Sequence, residues 1–504
     1  TEIRLSMRFL LLLLAASVVF VTSLVVFFYL FFKPSKASSY KFPPGPQPWP
    51  IIGNLNVLDF LKPQETFCKL SEQYGNLFTF HMGRQKFVVL TGYQTVKEAL
   101  VDQADDFGGR GQTHTSQLFS KGKGVIFGKG ESWKTMRRFT LSTLRDFGMG
   151  KRTIEDRIVE ESKMLIEVFE SYKGQSFEPT IHINSAVSNI ICTIVFGDRF
   201  EYDNPRFLRL QKLVNENVKL LVSPKMQLFN TFPFIGYFIK DLKKVSSNVK
   251  ENQSFLRNLY KKSKDVVDPN DMRSFIDTFI VKQHEEEAKN SHSYFDEDNM
   301  IFTSANLFAA GTETTSTTLR WGLLMMMRYP HIQEKVKVEI ERVIGRERPP
   351  RSEDRKSMPY TDAVLHEIQR FGNVVPMNLL HETTVDTTFR GYKIPKGTPV
   401  IPLLTSVLFD KTQWDTPFEF NPGHFLDAQG NFVRKEAFMP FSAGRRVCLG
   451  ETLAKMELFL FFTALLQKFT FRLPPGILPE DLNMEPVPGI TASPHSYKLC
   501  AVSH

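Results

Sequence analysis

Cys448 stands between two glycines in the stretch Phe441-Ser442-Ala443-Gly444-Arg445-Arg446-Val447-Cys448-Leu449-Gly450, just ahead of an apolar run, Glu451 to Phe469, that reads as a helix. Glycine has no Cβ and tolerates φ > 0, so a tight loop there can bring its backbone against a flat ligand. The N–H groups of the loop and of the helix start, with the positive end of the helix, can point at the sulfur and favour thiolate over thiol. A thiolate needs an electrophilic partner, and iron is one. Arg446, two residues before the cysteine, suits a carboxylate on that partner. A free cysteine is commonly no more than a small buried hydrophobe. The phenylalanine, glycines and arginine around Cys448 are what give it a chemical reading.

A second constellation is Ala309-Ala310-Gly311-Thr312-Glu313-Thr314-Thr315, inside a helical stretch from Asn299 to Tyr329 that Pro330 ends. Small residues at 309–311 allow another group to approach the backbone. The Thr314 hydroxyl can bond the Ala310 carbonyl or release it, and Glu313 places an acid beside this alcohol. Elsewhere, Trp133 and Arg137 lie four residues apart and share a helix face, with Lys134 and Arg138 rotated about 100° away. Two E-x-x-R sequences occur. Glu367 to Arg370 offers a bidentate carboxylate–guanidinium pair. Glu339 to Arg342 lies in a charge-rich helix and is expected to be a surface pair of little worth.

The elements that position these residues are mostly helical. Helical spacing covers roughly 131–145, 153–173, 181–197, 204–221, 243–265 and 271–284, besides Tyr93 to Val101. Thr79 to Leu90 reads as a hairpin with Gly83-Arg84 near its turn, and short strands are expected around 384–402. The charged stretch Lys282 to Asp298 reads as a solvated loop with helix ends. The fold class is mainly α with a small β region.

The chain has 504 residues, enough for a large core, and a net charge of +9, which favours an anionic surface or partner. Its four cysteines are far apart with no C-x-x-C pair, which excludes zinc ribbons and thioredoxin-like motifs. Some of the 46 phenylalanines can line an apolar pocket. Phe9 to Phe32 carries no charge over 24 residues, enough to span a bilayer core of about 30 Å. It is too long for a signal-peptide core, so a retained anchor is expected. No later stretch reaches about 18 uninterrupted apolar residues, which argues against a multi-pass transporter. Residues 1–8 read as a leader, 9–32 as the anchor and 33–50 as a basic, proline-rich spacer ahead of one domain over 51–504. Met7 is a more natural start than Thr1, so residues 1–6 are expected to lie outside the natural protein.

The stretch around Cys448 matches F-x-x-G-x-R-x-C-x-G at every fixed position, and the chain thereby resembles the cytochrome P450 superfamily. The resemblance covers nearly all of residues 42–504. It is nearest to the microsomal vertebrate enzymes that oxidise drugs, steroids and fatty acids, through Gly311 to Trp321 and Met358 to Val364. The cofactor it implies is haem b, with Cys448 as the axial thiolate on iron and Phe441, Gly444 and Arg446 in the binding loop. Trp133, Arg137, Arg110 and His381 inherit contacts to the haem propionates. Glu313 and Thr314 inherit proton delivery to dioxygen, and Ala310 a place closest to substrate. Leu118, Phe119, Phe302, Phe308 and Ile490 come from segments that line the substrate chamber in the family. Glu367 and Arg370, with His424 as third partner, inherit a structural role below the haem. Gly423 departs from the acidic residue usual there.

The reaction the resemblance implies is R–H + O₂ + two electrons + two protons → R–OH + water. NADPH and flavins enter only through a separate flavoprotein reductase, since no glycine-rich dinucleotide motif follows a strand here. A b-type cytochrome is a second expected donor, with membrane lipid and a small lipophilic substrate as the other partners and no nucleic acid. The resemblance places the protein in the endoplasmic reticulum membrane with its catalytic domain on the cytosolic side. A second membrane contact is expected at Pro224 to Phe238. Two rival readings are a reductase-independent haem-thiolate isomerase or dehydratase and a non-enzymatic haem or lipid carrier. Glu313-Thr314 argues against the first, which has no need to protonate dioxygen.

Overall fold

The fold is built round one helix, Glu297–Arg328. Asp296 caps it by accepting a hydrogen bond from the Asn299 N–H at 2.7 Å, and Pro330 opens the next helix two residues after it ends. From Asn299 to Met327 it carries buried residues on every side, so it has no solvent face. Thr180–Phe196, Lys240–Val266, Pro359–Gly372 and Glu451–Lys468 pack against it, and Arg152–Ser171 packs on Thr180–Phe196 and Glu451–Lys468. Gly311 sets one close approach. A Cβ there would stand 2.5 Å from Cδ1 of Ile191 on the helix Thr180–Phe196. The computed structural model describes residues 14–23, 25–26, 41–289 and 293–504.

The β part is small. A five-stranded sheet runs in the order Leu77–Met82, Gln85–Leu90, Pro399–Pro402, His381–Glu382, Gly109–Arg110. Its hairpin pairs Leu77 with Leu90 and Met82 with Gln85, leaving Gly83-Arg84 as the two-residue turn. The spacing predicts alternating burial. Instead Phe87 to Leu90 are buried in succession, because both faces of the strand are covered: Val88 and Leu90 pack in one apolar cluster with Val400, and Phe87 and Val89 in another with Phe67 and Phe80. A second sheet joins Phe469–Arg472 to Leu499–Ser503 and Ser176–Phe177. Sequence spacing does not reveal it, since its strands are short and far apart in the chain.

Two expectations are corrected here. The charged stretch after Lys282 is not loop at its start, because the helix Phe275–Ala288 continues through it. Lys282 pairs with Glu285 at 2.9 Å and Glu286 at 3.1 Å, the one-turn spacing that supports an exposed helix. Glu339 is not a surface residue. It is buried and accepts hydrogen bonds from Tyr360 N–H, Thr361 N–H and the Thr361 hydroxyl, so it caps the helix Pro359–Gly372. Arg342 lies 3.6 Å from it with an exposed side chain.

Half of the expected anchor at 9–32 lies outside the described residues. Of it, 14–23 and 25–26 are described as helical and exposed. Among the described residues no helix is long and apolar enough to cross a membrane.

Candidate active site

The loop around Cys448 is shaped by a close backbone contact. Gly444 has φ +73°, and a Cβ there would stand 1.8 Å from the Leu100 carbonyl oxygen, so only glycine lets the loop close on that turn. The Cys448 N–H donates to the Phe441 carbonyl at 3.0 Å, and Asn378 reaches the Ser442 hydroxyl at 2.9 Å. The Cys448 side chain is open on one side and enclosed by protein elsewhere. Burial raises its thiol pKa. The N–H groups of Gly450 and Glu451 bond the sulfur and pull the other way, helped by Arg137, while the Glu451 carboxylate adds to the rise. The donors expected at the sulfur are present, but they do not outweigh burial. A bound cation would favour the thiolate further.

Beside this loop the structure brings together Trp133, Arg137, Arg110, His381 and Arg446. Backbone carbonyls hold the guanidiniums. Arg446 donates to Gly108 and Gly128, both at 3.0 Å, Arg110 to Ile126 at 2.9 Å, and Arg137 to Val447 at 2.6 Å. Arg446 also stacks 3.5 Å above the Trp133 ring. Burial and mutual repulsion depress all this charge. Arg446 falls to about 8 through burial, then Arg110 and Arg137, with Glu382 opposing. Arg110 falls to about 10 through burial and then Arg137. His381 is pushed down to about 3, by burial first and then by Arg110. Its Nδ1–H donates to the Phe107 carbonyl at 2.8 Å, which leaves a lone pair on Nε2 of the neutral ring.

Trp133 Nε1, Arg446 Nη1 and His381 Nε2 are buried with no hydrogen-bond partner among the described residues. Buried polar atoms are rarely left so. A ligand with two carboxylates answers all of it at once: it pairs with the guanidiniums, accepts from the indole and draws a proton onto the imidazole. The residues present therefore fit the propionate end of a haem.

Adjoining these groups is a cavity of about 1090 Å³, which Arg110 also borders. Phe119, Phe302, Ala310, Glu313, Thr314 and Ile490 line it. Two expected lining residues lie elsewhere. Leu118 is 53% exposed on the outer face of the short helix His114–Ser120, whose Phe119 takes the inner side. Phe308 is buried in the main core, 5.9 Å from the Phe196 ring. Phe60, Met82 and Asn252 also border the cavity. They are brought there by tertiary packing, and no local pattern marks them.

The Thr314 hydroxyl donates to the Ala310 carbonyl at 2.8 Å. The Glu313 carboxylate turns away from it, its Oε1 accepting from Thr317 at 3.3 Å and Thr491 at 3.1 Å. The acid and the alcohol thus share the cavity wall without bonding each other.

Further from the cavity, Arg370 makes a bidentate pair with Glu367 at 2.7 and 2.8 Å and donates to the carbonyls of Leu408, Pro417 and Glu419. Nδ1 of His424 lies 3.3 Å from both Glu367 oxygens, and the Asn421 N–H bonds one of them at 2.8 Å. The group has no solvent contact at Glu367 or Arg370. It ties the helix Pro359–Gly372 to the irregular segment ahead of the Cys448 loop.

The family model for cytochrome P450 matches residues 43–501. The chain is 52% identical to cytochrome P450 2K1 of Oncorhynchus mykiss, over 94% of this chain and 95% of that one. It is 47% identical to cytochrome P450 2F2 of Mus musculus over 91% and 94%, and 47% identical to cytochrome P450 2B2 of Rattus norvegicus over 91% and 93%. A match of this extent, with a cysteine loop and a buried cationic cluster that suit haem, means that the chain belongs to the cytochrome P450 family and is a haem-dependent monooxygenase.

Proposed function

We propose that this monooxygenase acts at a membrane surface on a lipophilic substrate, a fatty acid, steroid or xenobiotic, with electrons from NADPH passed through a separate flavoprotein reductase. The observation that carries the substrate class is the cavity, whose wall around Phe119, Phe302 and Ile490 is apolar and which extends to Phe60, Leu61 and Phe234. Binding spectra against fatty acids, steroids and drug-like amines test it. A protein that shows saturable shifts only with small polar compounds contradicts it.

In this reading Cys448 ligates the iron, while Arg110, Arg137, Arg446, Trp133 and His381 hold the propionates. When bound, the haem supplies the activation of dioxygen and the oxygen insertion. The chain's own residues bind and orient the substrate over Ala310 and bring protons to the site from Glu313 and Thr314. Lys134 and Arg138 are exposed on the same helix as the buried Trp133, and this supports a docking face for the reductase or a b-type cytochrome there. The Lys134–Glu131 pair at 2.8 Å is exposed and contributes little.

Thr314→Ala is expected to consume NADPH at a similar rate, release more hydrogen peroxide and lose about tenfold in product, or about 1.4 kcal/mol of barrier. Glu313→Gln should act in the same direction more mildly, since water can replace part of a relay. Thr314→Val keeps the shape without the hydroxyl. Full coupling of NADPH to product in the valine variant contradicts a proton role for Thr314.

Membrane attachment is proposed at two places, the apolar segment 9–32 and the tip at 234–238. Phe234, Tyr237 and Phe238 are 80%, 78% and 82% exposed, and Lys243 lies 5.2 Å over the Tyr237 ring. Met226 and Phe229, in the same expected contact, are instead buried against Ile239. Rings flanked by lysines suit an anionic lipid interface. A protein lacking residues 1–41 should still bind liposomes containing anionic lipid, and loss of all affinity refutes the second contact.

A further inference from the structure

We infer that Thr491 is a positioning residue for Glu313, an inference that rests on the proposed proton-delivery role of that acid. Thr491 lies in the loop between the strands Pro486–Val487 and Ser493–Pro494, far from the long helix in sequence. The loop is held on three sides. The Ile490 N–H donates to the Val218 carbonyl at 3.2 Å, the Ala492 N–H to the Val374 carbonyl at 2.8 Å, and the Trp321 indole to the Ala492 carbonyl at 2.9 Å. Backbone bonds on both sides of Thr491 leave its buried side chain little freedom, and its hydroxyl donates to Glu313 Oε1 at 3.1 Å.

The same oxygen takes the Thr317 hydroxyl at 3.3 Å and stands 3.9 Å from the Arg320 guanidinium. Arg320 donates to the Thr317 oxygen at 2.7 Å, which turns the Thr317 proton toward the acid. Oε1 is thus bound by two donors, whereas Oε2 is buried with no partner among the described residues. An unpartnered carboxylate oxygen is costly, and it is the atom left free to exchange a proton. Thr491 and Thr317 clamp one oxygen of the carboxyl and leave the other without a partner among the described residues. Thr317 is one turn along the same helix and moves with Glu313. Thr491 is the donor that ties the acid to a different part of the wall, next to Ile490, which lines the cavity.

The test uses the haem-loaded full chain with Thr491→Val and Thr491→Ser, each made with Glu313 intact and as Glu313→Gln. Product and peroxide per NADPH are measured, and so is the thermal melting temperature of each variant. The valine variant should raise the peroxide-to-product ratio roughly threefold, in the range for groups sharing one network, and serine should restore it. In the Glu313→Gln background Thr491→Val should add nothing to the ratio, and the two substitutions should lower the melting temperature by less than the sum of their separate effects. If Glu313→Gln raises the ratio while Thr491→Val leaves it unchanged, the positioning role is overturned. An equal effect of Thr491→Val in both backgrounds also overturns it, because Thr491 is then only a wall of the cavity. If neither substitution changes the ratio, the proton-delivery role of Glu313 fails as well.

Discussion

Cys448→His should end monooxygenase turnover and shift the Soret band of the reduced carbon monoxide complex from the long-wavelength position of a thiolate ligand to the shorter-wavelength position of an imidazole. The expectation follows from the proposed role of Cys448 and from the charge at the sulfur. Two backbone N–H groups and Arg137 face it, and burial opposes them. A neutral imidazole there donates less electron density to iron, the property that favours O–O cleavage. Haem retention separates this effect from misfolding, because the residues proposed to hold the propionates, Arg110, Arg137, Arg446, Trp133 and His381, are left in place by the substitution. An unchanged band in a variant that retains haem removes Cys448 as the ligand.

Glu367→Ala should give the largest loss of stability of any single change outside the haem site. It leaves the Arg370 guanidinium fully buried with its two charged hydrogen bonds gone, and it also takes an acceptor from Asn421 and from His424. Breaking a buried pair by removing one partner costs about 3–5 kcal/mol, because the other charge remains in low dielectric. That is a large share of a domain's net stability, so little haem-loaded protein should accumulate. Glu367→Gln keeps the acceptor toward Asn421 while losing the charge, and it should fall between the two. Denaturation of whatever soluble protein is obtained provides the check, and an alanine variant that unfolds with wild type contradicts the structural role.

Long helices were legible to within a few residues. The spacing predicts 131–145 and 181–197, and the structure has Gly130–Asp146 and Thr180–Phe196. The helix predicted at 271–284 is displaced because its limits depend on two side-chain features. The Ser274 hydroxyl caps its start, and charge pairs carry its end past Lys282. The sheet formed by Phe469–Arg472 and Leu499–Ser503 is a long-range pairing, and nothing in either short strand announces its partner.

The site divides along the same line. Cys448, Gly444 and Arg446 sit in one short stretch and can be read together. The convergence of Arg446 with Arg110, Arg137, Trp133 and His381 depends on four separate elements, and the resemblance supplied it. That their charge is unmatched, with three donors or lone pairs left over, is visible only in three dimensions. Phe308 shows a limit of periodicity. A helix buried on every side gives no sign of which face meets the cavity. Leu118 and Phe119 are neighbours separated by about 100° of helix rotation, and that turn decides which one lines the wall. Thr491 has no sequence signal at all, since its partner Glu313 lies 178 residues earlier.

The central claim is that the chain inserts one atom of dioxygen into a lipophilic substrate, with electrons supplied by a separate reductase. Turnover under isotopically labelled dioxygen, with purified reductase and NADPH, tests it most directly. One labelled atom is expected in each hydroxylated product molecule, and no product when either reductase or NADPH is omitted. Product that carries oxygen from water, or rearranged product formed from a peroxide without reductase, would contradict it.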